Sequence, residues 1–265
     1  MTDTAAELDR LAATPRLLVA LDFDGTLSPL EDEPMAARML PVAREALESL
    51  LATADTTVAL VSGRSLADLQ EISEHTASSP ILLAGSHGAE FWAPDGTPSA
   101  AADGTADDTV ERERRDELLA AAREAIAGLD GAWIEPKAFG LGLHTRTASP
   151  EDADTAAARV EEIVTGRAPD WRRRTGRDIL EFAFRHEGKD TAVAALRERV
   201  GATAVLFAGD DVTDEDALAS LGADDLGVRV GDGDTAAGLR VPDATALAEL
   251  LAELAARRAS VHGSA

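Results

Sequence analysis

The stretch LLVALDFDGTLSPL, from Leu17 to Leu30, decides the fold. Five apolar residues lead directly into two acidic residues, Asp22 and Asp24, which are separated by a single residue. Two carboxylates at this spacing repel each other, and each resists ionisation beside the other. The stretch therefore predicts a buried strand that ends at a site where a positively charged group compensates the two acids.

Other apolar runs repeat this pattern of a strand followed by small and polar residues. They are TTVALVSG (56–63), PILLAGSHG (80–88) and AVLFAGDD (204–211), with LGVRVGD (226–232) as a weaker fifth strand. Short continuous apolar runs are typical of strands buried on both faces, and helical patterns lie between these runs. The alternation predicts an α/β fold with a Rossmann-like parallel sheet, whose binding site lies beyond the carboxyl ends of the strands.

The middle of the chain has a different pattern. A stretch rich in Pro, Gly, Ala and Asp (93–108) predicts a flexible acidic loop. Two helical patterns follow, together with segments in which apolar and polar residues alternate, as on half-exposed antiparallel strands. Residues 93–185 are therefore predicted to form an inserted α+β domain, and residues 1–92 and 186–265 are predicted to form the parallel-sheet core.

Composition limits the class of protein. The chain has 265 residues, no cysteine, and 25 basic against 49 acidic residues, which gives a formal net charge of −24. Such a charge repels nucleic acid and anionic membranes, so neither is expected as a partner. Without cysteine there is no disulfide framework and no thiolate chemistry. The sequence has no signal-peptide pattern and no apolar run of membrane-spanning length, so we expect a cytoplasmic protein.

Lysine is scarce, since Lys137 and Lys189 are the two lysines of the whole sequence. An acidic surplus with few lysines is typical of halophilic proteins, whose like charges are screened in strong salt. The alternative is GC-rich codon bias, which by itself does not account for so negative a balance. In either case the two lysines that are present are candidates for functional residues.

The acids at the strand ends predict phosphoryl transfer assisted by a divalent cation. A carboxylate such as Asp22 can attack a phosphoryl group and form an aspartyl-phosphate, and Asp24 can protonate the leaving alcohol and later activate water. Repulsion between these carboxylates and a phosphate calls for Mg²⁺, which prefers carboxylate, phosphate and water oxygens. The stretch GDDVTDED supplies further acids, with Asp210 at the strand end and Asp211 and Asp214 close behind.

Two more residues are suited to hold a phosphate. Ser62 ends the second strand, where its hydroxyl and the following backbone N–H groups can bind phosphate oxygens. Lys189 stands where a helix begins, and its charge can neutralise the nucleophile and the transferring group. Each has an ordinary alternative, a turn residue or a surface charge, and the acids at 214–216 also fit the first turn of a helix capped by Thr213. The prediction therefore depends on finding these acids, the serine and the lysine together and in this order along the chain.

That combination resembles the haloacid dehalogenase superfamily of phosphatases. DFDGT matches its first motif, the serine of VSGR its second, the lysine of GKD its third and GDDVTDED its fourth. The insert between the second and third motifs is similar to the cap of one subclass, which closes over the substrate and sets specificity. The resemblance implies a haloacid dehalogenase core with a cap, in which Asp22 is the nucleophile and Asp24 the acid and base.

Finer features resemble the trehalose-6-phosphate phosphatase family, namely GSHGAE, an E-x-K…H-x-R pattern and a Glu before the third motif. The resemblance implies that Asp22, Asp24 and Asp210 bind Mg²⁺, Asp24 through its backbone carbonyl, and that Ser62 and Lys189 hold the phosphate. It also implies contacts for two further sets: Arg64, His87 and Gly88 at the floor of the pocket, and Lys137, His144, Arg146 and Glu181 with sugar hydroxyls. The alternative for His144 and Arg146 is an exposed strand position.

The leading hypothesis is a monomeric, Mg²⁺-dependent phosphatase that releases trehalose and phosphate from trehalose-6-phosphate. A phosphatase for another sugar phosphate, such as sucrose-6-phosphate or mannosyl-3-phosphoglycerate, uses the same chemistry and is the first alternative. A catalytically silent partner of a trehalose-phosphate synthase is a second, which the intact acids and Lys189 disfavour. A phosphomutase is a third, and it would require the phospho-aspartate to survive water.

Overall fold

The computed structural model describes residues 3–31, 33–96, 106–176 and 178–262. The chain divides into two compact units: the core unit, Met1–Ala102 with Glu187–Ala265, and the cap unit, Asp103–His186. The predicted acidic loop (93–108) lies mostly outside the described residues, and its last three positions already belong to a helix. The predicted domain limits at 93 and 185 stay a prediction.

The helices and strands follow one another in the order expected for a sheet protein with an insert. In chain order they are α1 (Thr4–Ala12), β1 (Leu17–Leu21), α2 (Pro41–Leu51), β2 (Thr56–Val61), α3 (Leu66–Ile72), β3 (Leu82–Gly85), β4 (Glu90–Trp92), α4 (Ala106–Ala125), β5 (Trp133–Lys137), β6 (Gly140–His144), α5 (Pro150–Arg167), β7 (Arg172–Gly176), β8 (Ile179–Ala183), α6 (Lys189–Val200), β9 (Ala204–Gly209), α7 (Glu215–Ser220), β10 (Leu226–Val230), β11 (Leu239–Val241) and α8 (Ala244–His262). In the described ranges, no helix has the length and apolarity that a membrane crossing requires.

The core unit is built on a seven-stranded sheet with the order β11-β10-β9-β1-β2-β3-β4. All neighbouring strands are parallel except β3 and β4, which are antiparallel. The predicted α/β fold with a parallel sheet is confirmed, and so is the weaker fifth strand, which is β10. The edge strands β4 and β11 were not predicted, because three residues are too few to show a strand pattern.

Strand β1 is buried on both faces, which explains its unbroken apolar sequence. Leu17, Val19 and Leu21 belong to the apolar cluster that includes helices α1, α2 and α8. Leu18 and Ala20 point the other way and belong to the cluster that includes α6 and α7. Two helical layers therefore cover the sheet, and the polar groups of this region are left at the ends of the strands.

The cap unit is a four-stranded antiparallel sheet with the order β5-β6-β8-β7 and helices α4 and α5. Alternate residues of the strands, among them Ile134, Leu143 and Leu180, pack into an apolar cluster with Leu118 of α4 and Val160 of α5. The residues between them lie on the opposite face of the sheet, as the period of two requires. The predicted α+β insert is confirmed.

Arg258 of α8 is fully buried in the core unit. Its Nη1 donates to the carbonyls of Leu11, Ala12 and Thr14 at 3.3, 3.2 and 2.7 Å, and its Nη2 donates to those of Ala54 and Asp55 at 3.3 and 2.9 Å. Burial lowers the pKa of this guanidinium. Arg258 therefore fastens α8 to the end of α1 and to the turn before β2, and carbonyl oxygens take the place of a carboxylate partner.

Replacing Arg258 by Met should lower the free energy of unfolding by about 3 kcal/mol or more, because several buried carbonyls lose their donor. The measurement is urea unfolding followed by circular dichroism. Arg257→Met is the matched control, since Arg257 itself pairs with Asp9 and Glu253 at the surface, where ion pairs contribute little. Equal losses in the two variants would contradict the role of Arg258.

Candidate active site

Three neighbouring strands end together and place Asp22, Ser62 and Asp210 at one edge of the core sheet. Leu21 is paired with Leu60 of β2 and with Ala208 of β9, so the three residues follow their strands at nearly the same level. The N–H of Asp22 donates to the carbonyl of Ala208 at 2.9 Å, which continues the strand pairing into the site. Asp22 and Ser62 are buried, with exposed fractions of 5% and 2%.

Gly25 allows the chain after β1 to fold against Asp210. Its φ is +75°, and a Cβ at this position would lie 2.1 Å from Oδ2 of Asp210. Only glycine has both the conformational freedom and the small size that this approach requires. The next residue, Thr26, places its hydroxyl 3.4 Å from Oδ2 of Asp22 and 3.3 Å from Oδ1 of Asp210, where it can donate to either carboxylate.

Lys189, the first residue of α6, is the buried cation of the site, with 3% of its surface exposed. Its Nζ lies 2.7 Å from Oδ1 of Asp22 and 2.7 Å from Oδ1 of Asp214. The second oxygen of Asp214 accepts the backbone N–H groups of Asp210 and Asp211 at 3.1 and 3.0 Å. Protein donors thus occupy both oxygens of Asp214, which holds Lys189 and the acidic loop in place.

The charges of this cluster are incompletely compensated. Burial alone would lower the pKa of Lys189, but Asp214 and Asp22 outweigh it and the pKa is raised. Burial raises the pKa of Asp22 well above its ordinary value, Lys189 opposes this effect, and Asp214 and Asp210 add to it. Burial also raises the pKa of Asp210 to about 7, with Asp214 and Asp211 adding to the shift. One ammonium group therefore does not neutralise the acids around it.

The donor set fits a divalent cation. Oxygens of Asp22, Asp210 and Asp214 lie within 4.8 Å of one another. Hard oxygen donors and surplus negative charge are what Mg²⁺ requires. Asp211 has a different contact, because its side chain accepts the N–H of Thr213 and caps the short turn Val212–Asp214. The alternative in which Thr213 caps the following helix is wrong, because Thr213 lies inside this turn and α7 begins after Asp214 with no side-chain cap hydrogen bond.

The side chain of Asp24 is outside this group of three acids and binds Arg64. Arg64 donates from Nε to Oδ2 and from Nη2 to Oδ1 of Asp24, both at 2.6 Å. Burial alone would lower the pKa of Arg64, but the hydrogen bond and the charge of Asp24 raise it. This two-point contact fixes the side chain of Asp24 in one orientation.

His87 and Gly88 lie in a strained turn beside Ser62. Ser86, His87 and Gly88 have φ values of 49°, 56° and 102°, and two of these residues carry side chains that disfavour positive φ. The N–H of His87 donates to the carbonyl of Ser62 at 2.9 Å. A Cβ on Gly63 would lie 2.6 Å from Cε1 of His87, so the imidazole packs directly on the backbone after Ser62.

Glu90 holds this strained turn, and the sequence analysis missed it as a site residue. Its Oε2 accepts the hydroxyl of Ser86 at 2.6 Å and the N–H of Leu66 at 3.1 Å. Thr26 and Arg229 were also missed. Nη1 of Arg229 donates to the carbonyl of Asp211 at 2.8 Å, and a lone arginine within the apolar strand LGVRV was the available signal.

The cap unit brings most of its predicted residues into one network on the face of the sheet opposite α4 and α5. Nζ of Lys137 lies 2.8 Å from Oε2 of Glu135 and 3.4 Å from Oε1 of Glu181, and Nε2 of His144 lies 2.7 Å from Oε2 of Glu135. Glu181 and Glu135 stand on either side of Gly142 in the sheet register. Arg146 is exposed in the turn after β6.

The network shifts the pKa of its members in opposite directions. Burial alone would lower the pKa of Lys137, but Glu181 and Glu135 outweigh it and raise the pKa. Burial alone would raise the pKa of Glu135, but His144 and Lys137 outweigh it and lower the pKa. The cap unit therefore presents an ammonium group between two carboxylates, and the predicted site residues form two clusters, one in each unit.

Comparisons with known proteins identify the family of the chain. The sequence profile of the family described as trehalose-phosphatase matches residues 20–232. The chain belongs to the trehalose-phosphatase family. The resemblance stated from the sequence motifs is thereby confirmed, and the core has a haloacid dehalogenase-like fold.

Relatives within and near the trehalose-phosphatase family cover almost the whole chain. A trehalose-phosphate phosphatase of Mycobacterium marinum is 34% identical over 254 residues, which are 92% of this chain and 62% of that protein. A protein of Mycobacterium tuberculosis named as an uncharacterized glycosyl hydrolase is 34% identical over 268 residues, 94% of this chain and 19% of that protein. The chain thus spans less than two thirds of the length of these relatives.

Among solved structures, the C-terminal domain of the trehalose-6-phosphate phosphatase of C. albicans superimposes with a TM-score of 0.78. The two chains are 21% identical, and the superposition covers 96% of this chain and 97% of that one. At this identity the likeness shows a shared fold. The trehalose-phosphatase fold therefore extends over both the core and the inserted unit.

The charge surplus at Asp210 predicts a pH-dependent stability. With a folded pKa of about 7 against an ordinary 3.8, folded chains bind more protons than unfolded chains between these values, so the free energy of unfolding falls as pH rises through that window. Asp210→Asn should therefore melt higher than the wild type above about pH 8 in metal-free buffer, with the gain disappearing near about pH 4.

The measurement is the melting temperature against pH in EDTA, repeated with Mg²⁺. A ligand that binds only the folded state raises the stability of that state. Mg²⁺ should therefore stabilise the wild type more above about pH 8, where Asp210 is ionised, than at about pH 5. It should stabilise Asp210→Asn less than the wild type, because the variant lacks this carboxylate. Asp154→Asn, an exposed position on α5, is the control. A pH profile that is identical in wild type and Asp210→Asn would contradict the prediction.

Proposed function

We propose that the chain is a phosphatase that hydrolyses trehalose-6-phosphate to trehalose and phosphate through an aspartyl-phosphate on Asp22. The observation that carries the proposal is the buried cluster at the sheet edge, in which Lys189 contacts Asp22 and the hydroxyl of Thr26 lies between Asp22 and Asp210. Membership of the trehalose-phosphatase family and relatives named as trehalose-phosphate phosphatases support the choice of substrate.

In the first step Oδ2 of Asp22 attacks phosphorus, because Oδ1 is engaged by Lys189. The bond between phosphorus and the sugar oxygen breaks, and its electron pair stays on that oxygen, which takes a proton from Asp24. Ser62 and Lys189 bind the oxygens of the transferring phosphoryl group and stabilise its charge. The products of this step are free trehalose and phospho-Asp22.

In the second step Asp24 removes a proton from water, and the hydroxide oxygen attacks phosphorus. The bond between phosphorus and Oδ2 of Asp22 breaks, which restores the carboxylate and releases inorganic phosphate. Asp24 leaves Arg64 in order to act in either step, since both of its oxygens are engaged there. Exchange of this ion pair therefore belongs to the catalytic cycle.

Mg²⁺ is the proposed cofactor. Asp22, Asp210 and the backbone carbonyl of Asp24 would hold the ion, with Asp214 and Asp211 fixing the loop that carries Asp210. When bound, the ion supplies charge neutralisation and polarisation of a phosphoryl oxygen. The raised pKa values of Asp22 and Asp210 support this assignment, because a nearby cation favours the ionised carboxylates.

The cap network is the proposed binding site for sugar hydroxyls. Lys137, Glu135 and Glu181 present charged donors and acceptors side by side, and hydrogen bonds to charged groups are stronger than those between neutral groups. His144 belongs to the proposed site through its contact with Glu135. Arg146, which is exposed in the turn after β6, is a further proposed contact for sugar hydroxyls. Arg64, His87 and Gly88 form the proposed floor around Ser62.

The proposal includes a monomeric, cytoplasmic chain, adapted to high salt, that uses the product of a trehalose-phosphate synthase. The net charge of −24 supports the high-salt adaptation, because like charges are screened in strong salt. Phosphate release from a panel of trehalose-6-phosphate, sucrose-6-phosphate and mannosyl-3-phosphoglycerate, measured in high salt with Mg²⁺, tests the substrate. Preference for another member of the panel would show that the proposed substrate is wrong. Inactivity on all of them would favour the alternative of a catalytically silent partner of a trehalose-phosphate synthase.

Asp22→Asn should abolish phosphate release, because an amide does not attack phosphorus. After acid quenching, the wild type should carry a phosphoryl group on Asp22 that is detectable by mass spectrometry, and the variant should not. Asp154→Asn on α5 is the matched control and should keep full activity. Near-normal turnover by Asp22→Asn, with deamidation excluded, would disprove the covalent mechanism.

Lys137→Ala should reduce kcat/KM for trehalose-6-phosphate about ten- to hundredfold, as expected for the loss of one charged hydrogen bond. The loss should be much smaller for p-nitrophenyl phosphate, which has no sugar hydroxyls. Lys137→Arg should not restore the wild-type value, because a planar guanidinium does not replace a compact ammonium group between Glu135 and Glu181. Equal losses on both substrates would instead assign Lys137 to the chemical step.

A further inference from the structure

Trp133 is an aromatic residue at the start of β5 that the motifs above do not explain. The residue is 48% exposed, and among the exposed large apolar residues of the described ranges it is the one with an aromatic ring. It pairs with His144 in the register of β5 and β6. The two rings stack nearly parallel, with centroids 4.1 Å apart and an angle of 5° between their planes.

This stack is continuous with the charged network of the cap unit. Nε2 of His144 binds Glu135, and Glu135 binds Lys137, so each member of the series touches the next. The period of two places Trp133, Glu135 and Lys137 on the same face of β5. A Cβ on Gly142 would lie 3.4 Å from Cε of Lys137, so the side chain of Lys137 packs over the backbone of Gly142.

The exposure of Trp133 has no explanation in the apolar core. Its neighbour Ile134 points to the opposite face and joins the cluster with α4 and α5, whereas Trp133 is outside that cluster. The stack on His144 covers one face of the indole, and a residue this large leaves substantial apolar area in water. An apolar ring beside fixed charged groups is the usual composition of a site for a ligand with apolar and polar surfaces.

A pyranose ring has this combination of surfaces, since its C–H groups form apolar faces and its hydroxyls lie around the edge. We propose that the indole of Trp133 stacks on a pyranose ring of the disaccharide phosphate, while the hydroxyls of that ring bind Glu135, Lys137 and Glu181. This inference rests on the proposed function and assigns Trp133 to substrate binding. His144 backs the indole and fixes its orientation relative to Glu135.

The test compares Trp133→Ala, Trp133→Phe and Val110→Ala. Val110 is the control, because it is an exposed apolar residue of the same unit on α4. Trp133→Ala should lower kcat/KM for trehalose-6-phosphate about tenfold relative to p-nitrophenyl phosphate, mainly through KM, as expected for the loss of one stacking contact. Trp133→Phe should keep most of the activity, since a ring remains, and Val110→Ala should match the wild type. Melting temperatures confirm that the variants fold.

Tryptophan fluorescence provides a direct readout of contact. Titrating trehalose into the wild type and Val110→Ala should change the emission, and the change should vanish in Trp133→Phe, which retains Trp92 and Trp171. An unchanged substrate ratio in Trp133→Ala, or the same emission change in Trp133→Phe, would overturn the role of Trp133. Failure of the wild type to hydrolyse trehalose-6-phosphate while it hydrolyses another sugar phosphate would overturn the proposed function, and the inference with it.

Discussion

The ammonium group of Lys189 joins three parts of the chain into the acidic cluster at the edge of the core sheet. It binds Asp22, which is 167 residues away in sequence, and Asp214, which is 25 residues away. Asp214 in turn holds the backbone of Asp210 and Asp211. Because the cap unit is inserted between β4 and α6, the chain must return from the insert at the position where Lys189 reaches β1.

The same ion pairs leave the site short of positive charge. Burying a carboxylate is costly unless it is paired, and several acids share Lys189. The raised pKa values of Asp22 and Asp210 express this cost within the folded state. The cluster therefore lowers the stability of the folded chain, and the large apolar layers on both faces of β1 offset that loss.

Sequence patterns were sufficient for the parts of the structure that depend on local periodicity. The run Leu17–Leu21 and its parallel neighbours were identified because burial on both faces leaves an unbroken apolar sequence. Contacts between distant residues leave no such trace. The bridging hydroxyl of Thr26, the pairing of Arg64 with Asp24 and the support of the 86–88 turn by Glu90 all depend on the tertiary arrangement. For the same reason the buried Arg258 was indistinguishable in sequence from its partly exposed neighbour Arg257.

The two lysines differ in a way that matters for chemical labelling. Lys189 is buried and paired with Asp22 and Asp214, whereas a quarter of the side-chain surface of Lys137 is exposed. Since the sequence has no cysteine and no further lysine, an acylating reagent meets one accessible side-chain amine. The carboxylates beside Lys137 hold its proton and slow acylation, because the neutral amine is the reactive form. The rate of labelling at Lys137 therefore reports how strongly Glu135 and Glu181 stabilise its protonated form.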